Sequence, residues 1–564
     1  MRSEPGFRGG LKVATAKSSS VEKYAILSPG WKRYGWRRFW METLREKLAD
    51  PSRFLVASEL VSVRGSMGEE SAIRARNFAN QLISSDAIDW ISITDNAGGN
   101  PQLAPLTLGR PILYAGKEVV IHLTCKDLNR NGLESEAWML NSEGFNNILA
   151  MSGDYPVAGQ DGLAKPVFDL DSVGLISLLS KMNRGLGAGA GRARLEKTRF
   201  CIGAVTTNFK LREGEVIPQY LKLKKKIECG AQFIINQIGF DSRKISELRA
   251  YMVAHGMRET PLIGNVYLLS SRVAQIFHQG KIPGVVVTPA LRELCCAQSS
   301  SPDGGKAFFL ELAAKQIAIY RGLGFRGVYL GGVHNFPAIE KILAIERAFS
   351  ADDWKQFAPE IQFSRAGEFF YYQSDSTTGL ADPASETPRP QTRSKHVTAV
   401  YQISKWSHET MFVPSSAFAS LGAKLCARAK DPMQGPAPLR ALEHLSKSAL
   451  YACKDCGDCS LPEIAYLCPE SQCAKNQRNG PCGGTREGGC EVDGYGDCIW
   501  LRAYERLKHD HREQTLLDHA PVIQNQGLRG TSAWANQWLG RDHTATRETA
   551  AAESTVPNPE LQKQ

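Results

Sequence analysis

The sequence predicts an α/β protein: a (β/α)8 TIM barrel followed by a small cysteine-rich, metal-binding, α-rich domain. Two observations carry this reading. Between about residues 50 and 350, eight short apolar β-type runs alternate with helical patterns, most of them about 30 residues apart. That is the spacing of one strand–helix unit, repeated often enough to close a barrel. Beyond it, eight of the chain's 14 cysteines fall between Cys453 and Cys498. A length of 564 residues, 42% hydrophobic, supports two or three folding units with a large core.

The eight strand candidates are Phe54–Glu59, Trp90–Thr94, Val119–Leu123, Asn147–Met151, Phe200–Val205, Gln232–Asn236, Leu262–Leu268 and Gly327–Leu330. The longer gaps before the fifth and the eighth must hold insertions. Residues 1–49 read as a disordered leader and an N-terminal helix, because Trp31–Ala49 carries aromatic and basic residues at helical spacing and caps the next domain. Residues 351–439 read as a linker and helical connector. Within them the Ser/Thr/Pro-rich stretch 374–398 is the interdomain linker, and a helix is expected over Ser415–Lys430. The cysteine module spans 440–510 and ends in the helix-like Trp500–Lys508. The segment 511–564 is expected to be a disordered tail, since beyond 520 it is polar and poor in large apolar residues. The glycine run 185–191 follows a helical pattern rather than a strand, so it reads as a loop and not as a dinucleotide fingerprint.

A net charge of +10 spread over the whole chain favours small anionic ligands or an acidic partner. No stripe of basic residues with aromatics speaks for nucleic acid. No apolar run is long enough for a membrane span. The first 20 residues lack the apolar core of a secretory signal, so a cytoplasmic location is expected. In that setting clustered cysteines are metal ligands rather than a disulfide framework.

Chemistry in such a barrel belongs at the carboxyl ends of the strands. There the sequence places Glu59, then Thr94 and Asp95, His122 and Thr124, then Ser152, Gly153 and Asp154, then Thr206, Thr207 and Asn208, and finally Gln237. Carboxylates, an imidazole and an amide thus converge on one mouth.

The segments VASEL (56–60), SIT (92–94), HLTC (122–125), AMSGD (150–154) and LKKKIECGAQFIINQIGFD (223–241) occur in an order and spacing that resembles methylenetetrahydrofolate reductases. The likeness extends over most of 50–350. It implies that Glu59 is the catalytic acid and that Thr94, His122, Ser152, Gly153, Asp154 and Lys226 surround a flavin, FAD or alternatively FMN. It further implies that Gln237, together with Asp154, binds a tetrahydrofolate derivative. A glutamate in a desolvated mouth suits this role, because a raised pKa lets it protonate a weakly basic nitrogen near neutral pH. Two departures stand out. Ser152 occupies a position where the family usually has Arg, and Thr206-Thr207-Asn208 replaces its usual Tyr-Pro-Glu. The lysines 222, 224, 225 and 226 read as a solvated helix face, with attraction of a folate polyglutamate tail as a side role.

In the C-terminal module the candidate ligands are Cys453, Cys456, Cys459, Cys468, Cys473, Cys482, Cys490 and Cys498. Eight thiolates make two sets of four, which suits two [4Fe–4S] clusters, two four-cysteine zinc sites or one of each. The stretch from CGDCSLPEIAYLCPESQC to CIWLRAYERLK resembles the C-terminal domain of some of these reductases, a separate small subunit in acetogens. That likeness implies an electron relay to or from the flavin, with NAD(P)H or a protein carrier such as ferredoxin as the partner; the alternatives are a reductase whose barrel uses NAD(P)H and whose module is a structural zinc domain that docks partners, and a folate-binding methyltransferase without redox chemistry. An oligomer is expected.

Overall fold

The computed structural model describes residues 42–187, 194–391 and 393–545. Eight parallel strands form a closed barrel. They are β1 (Leu55–Leu60), β2 (Trp90–Ile93), β3 (Glu118–Thr124), β4 (Asn147–Met151), β5 (Cys201–Thr206), β6 (Phe233–Asn236), β7 (Leu262–Tyr267) and β8 (Gly327–Gly331). All eight lie where the apolar runs place them, within one or two residues at each end. The ring closes through β1, whose Leu55 pairs with Gly327 on one side and whose Ala57 pairs with Trp90 on the other.

Side chains alternate across each strand, so every second residue enters the barrel. Leu55, Ala57, Trp90, Val120, Leu149, Cys201, Phe233, Ile235, Ile263 and Tyr329 form one cluster, joined by Leu44 and Leu48 of helix α1 (Leu44–Ala49). A Cβ at Gly203 would come within 2.2 Å of the Phe233 ring, so the interior is packed and not a pore. Helix α1 stops the amino-terminal end of the barrel. Its Arg45 donates to Phe200 O at 2.7 Å, and Arg326 donates to Leu48 O at 3.0 Å. Among the described residues, the carboxyl end of the barrel is the one left open to a ligand.

The module seats itself on the barrel through helix α2 (Glu213–Glu228), which follows β5. Here the expected solvated lysine face is corrected. Lys222 Nζ donates to Gln477 Oε1, Gly480 O and Pro481 O at 3.2, 3.1 and 3.0 Å, and Lys225 Nζ to Leu517 O at 2.8 Å. Both lysines are buried, and only Lys224 of the run faces solvent. The run holds the module down, because carbonyls at the ends of short, turn-rich segments are acceptors that secondary structure leaves unsatisfied.

Two further expectations are corrected. The stretch 374–398 is not a free linker. Tyr372–Ser374 and Ala381–Glu386 pair as an antiparallel hairpin on the helix Ser242–Ala254, where Tyr371 N donates to Glu247 Oε2 at 2.6 Å and Ala381 N to Ser246 Oγ at 3.0 Å. The tyrosines just ahead of the polar run supply the anchor that its own composition lacks. Nor is 511–545 a disordered tail. Leu516, Leu517, Val522 and Leu528 are buried. Helix α5 (Ala533–Trp538) packs its Trp538 flat against Phe412, ring centroids 5.1 Å apart. Few apolar residues are present, but nearly all are used. The expected connector helix is Ala417–Ala427, followed by α3 (Ala437–Tyr451), and α4 (Ile499–His509) closes the cysteine module. The leader, the tail beyond 545 and the centre of the glycine run lie outside the described residues.

Candidate active site

A cavity of about 1300 Å³, its open mouth included, occupies the carboxyl end of the barrel. Glu59, Thr94, His122, Ser152, Gly153, Asp154, Lys226 and Gln237 all line it. The inward alternation explains their convergence: Glu59 continues the face of Leu55 and Ala57, and His122 that of Val120.

Glu59 faces the cavity and is otherwise enclosed by protein. Tyr329, on β8, donates its hydroxyl to Glu59 Oε1 at 2.9 Å. Burial raises the Glu59 pKa above the ordinary carboxylate range, against the lowering effect of the bonds from Tyr329 and from Gly332 N–H. His122 Nε2 sits 2.9 Å from Ser92 Oγ. Burial pushes its pKa down to about 3, so the imidazole is neutral at physiological pH. Because the folded-state value is depressed, stability is full above the unfolded value near 6.5 and is lost as pH falls below it. Between pH 6.5 and 4 the wild type is expected to lose up to about 1.4 kcal/mol per pH unit more than a His122→Asn variant. Urea unfolding at stepped pH measures this; equal slopes contradict it.

The remaining polar groups are individually fixed. Thr94 Oγ1 accepts from Ser62 N at 2.9 Å, and Asp154 Oδ2 from Gly98 N at 2.8 Å. Asp95, raised by burial, accepts from Thr124 Oγ1 at 2.7 Å. Lys226 Nζ donates to Val205 O at 2.6 Å, and burial, with Lys222 nearby, brings its pKa down to about 7. Gln237 Oε1 accepts from Ile238 N at 2.9 Å, which leaves its amide N–H bonds for a ligand. Two buried polar atoms in the wall, Gln219 Nε2 and Asn265 Oδ1, have no partner among the described residues. Such atoms call for a hydrogen-bonding ligand or water, and with this mixed donor and acceptor set the pocket fits a flavin ring and a pterin.

The pocket has a second source of walls. Lys475, Cys482, Gly483, Gly484 and Glu491, all from the cysteine module, complete it. Ser152 Oγ donates to Gln477 Oε1 at 2.9 Å, and Lys475 Nζ to Gly153 O at 2.8 Å. Gly153 has φ +85°, which turns its carbonyl into reach. The Ser152 side chain is thus taken by the module. Lys475 and Gln477 carry no local sequence signal of this, because their partners lie over 300 residues away. Tyr329 was hidden as one more apolar strand residue. Gln219 had a signal, lying seven residues before Lys226 on the same face of α2.

The eight module cysteines separate into two successive sets. Cys453, Cys456, Cys459 and Cys468 surround one small cavity, with Lys447 and Arg478 beside them. Cys473, Cys482, Cys490 and Cys498 surround another, with Lys475 and Trp500. Backbone N–H groups of Asp455, Gln477 and Val492 point at the sulfurs of Cys453, Cys473 and Cys490 from 3.4, 3.5 and 3.5 Å. Four thiols around one small cavity are the donor set of a [4Fe–4S] cluster and equally of a four-cysteine zinc site. Behind the first set, His543 Nδ1 is 2.6 Å from Asp458 Oδ1 and its Nε2 3.2 Å from Glu463 Oε1. Burial opposes its charge, but the two carboxylates hold its pKa up at about 9, so it ties residue 543 to the loop between Cys456 and Cys459.

Fold and site together define a (β/α)8-barrel enzyme whose mouth is lidded by a cysteine-rich module. The model of the family described as methylenetetrahydrofolate reductase matches residues 46–344, and that described as methylene-tetrahydrofolate reductase C terminal matches 437–526. The chain belongs to the methylenetetrahydrofolate reductase family. Among solved structures it is similar to an uncharacterized Clostridium thermocellum protein described as binding two copies of 5-methyl-5,6,7,8-tetrahydrofolic acid, at 13% identity and TM-score 0.39, over 54% of this chain and 97% of the other. It is also similar to dihydropteroate synthase from Thermus thermophilus, at 11% identity and TM-score 0.29, over 53% and 96%. Among the described residues no helix is long and apolar enough to cross a membrane.

Proposed function

We propose that this protein interconverts 5,10-methylenetetrahydrofolate and 5-methyltetrahydrofolate, with a flavin in the barrel mouth and two [4Fe–4S] clusters in the module relaying electrons to or from it. The observation that carries this is Cys482: it belongs to the second set of four thiols and also lines the cavity that holds Glu59. The relay therefore ends at the reaction site.

Thr94, Asp154, Lys226 and the backbone around Gly153 would hold the flavin, which supplies hydride chemistry when bound. Gln237 and Gln219 orient the pterin through amide hydrogen bonds. Glu59, its pKa raised by burial, delivers a proton to the folate nitrogen whose bond to the one-carbon unit breaks. Tyr329 holds the carboxyl in line and stabilises it once it has given up that proton. His122, neutral, adds no positive charge beside the cationic carbon centre that ring opening leaves. The module excludes water from above.

The test is a single turnover. Protein purified anaerobically and reduced chemically is mixed with 5,10-methylenetetrahydrofolate, and about one 5-methyltetrahydrofolate per bound flavin is expected. Flavin-loaded protein that forms none contradicts the reading.

A further inference from the structure

We propose that Lys475, carried by the cysteine module, is a ligand-contacting residue of the barrel pocket: the fixed cation that balances negative charge on the bound flavin, with Glu491 as its positioning residue. This deepens the reading above and rests on it.

Four carboxylates line the cavity, from Glu59, Asp95, Asp154 and Glu491, against two lysines. Lys226 comes from the barrel and also donates to Val205 O in its wall. Lys475 is 4% exposed, and it lines both the cavity and the second thiol set. Its ammonium is ion-paired with Glu491 and donates to Gly153 O. An ammonium has three N–H donors, so one remains for a ligand in the cavity. Burying a lysine is costly unless its charge is matched, and one carboxylate partner matches it only while the pocket holds no further charge. Glu491 is itself beside Cys482, with Sγ and Oε1 3.5 Å apart. Lys475 thus stands between the second thiol set and the ligand, where reduction adds negative charge. Lys475 is the lysine of this cavity that the lid, and not the barrel, brings.

A purely structural reading makes Lys475 a staple from the module to the Gly153 loop. The two are separated by the flavin's midpoint potential, measured on full-length holoenzyme together with flavin and iron per chain. Lys475→Met is expected to weaken the preference for reduced over oxidised flavin at least tenfold, a negative shift of about 30 mV for a two-electron couple. Lys475→Arg is expected to stay within threefold of the wild type. Glu491→Gln removes a negative charge and is expected to shift the potential the opposite way, which keeps the idea testable should Lys475→Met lose its iron. An unchanged potential in Lys475→Met, or a negative shift in Glu491→Gln, overturns the proposal. Wild-type protein without flavin overturns instead the functional reading beneath it.

Discussion

Glu59→Gln is expected to lower folate turnover by a factor of about 10²–10⁴, the range a positioned general acid contributes. Reduction of the flavin through the module should stay within twofold of the wild type. The two halves of the result come from different parts of the site. The carboxyl of Glu59 is the one cavity-facing acid whose pKa is raised by burial and which also receives the hydroxyl of Tyr329. A glutamine keeps that hydrogen bond and the volume, and it cannot release a proton. In the proposed relay, electrons enter by Cys482, without the Glu59 side chain. Stopped-flow measurement of flavin reduction, with separate quantification of 5-methyltetrahydrofolate, resolves the two. Folate turnover that survives in Glu59→Gln removes the acid from the mechanism. Loss of both activities together points to a collapsed pocket.

The second large effect is expected at Cys482. Replacement by Ala should slow carrier-fed flavin reduction about 100-fold or more and lower the iron content, because one ligand of the second set is gone. The first set, closed by Cys468, keeps its ligands. Flavin reduced directly by dithionite should still support a folate single turnover, since the barrel side of the pocket is unaltered. Replacing Cys456 in the first set should slow carrier-fed reduction as well, without changing the pocket wall. Should Cys482→Ala leave carrier-fed reduction at the wild-type rate, electrons reach the pocket by another way.

The barrel was legible because the physics that makes it is local and periodic. Alternating apolar residues placed all eight strands, and the strand ends placed Glu59, Thr94, His122, Ser152, Gly153, Asp154 and Gln237 on a single cavity. Lys226 came from the resemblance rather than from any periodicity. The cysteine spacing marked out the module, but not which four thiols go together; the chain simply fills one set and then the next. What stayed hidden was long-range. Lys222 reads as a surface lysine until Gly480 and Pro481 lie under it. Lys475 and Gln477 reach residues 322 and 325 positions away, and no pattern within the module announces that. The segment 511–545 was misread for the opposite reason. Its composition is that of a tail, yet Asn479 holds Val522, and Asp458 holds His543, through bonds that only the folded chain supplies.

In the proposed enzyme the barrel mouth and the thiol sets form one redox site. The most direct measurement is the content of flavin, iron and zinc per chain in anaerobically purified protein. One flavin, about eight irons and no stoichiometric zinc are expected. Two zincs per chain with no iron, or protein with iron and no flavin, contradicts the proposal.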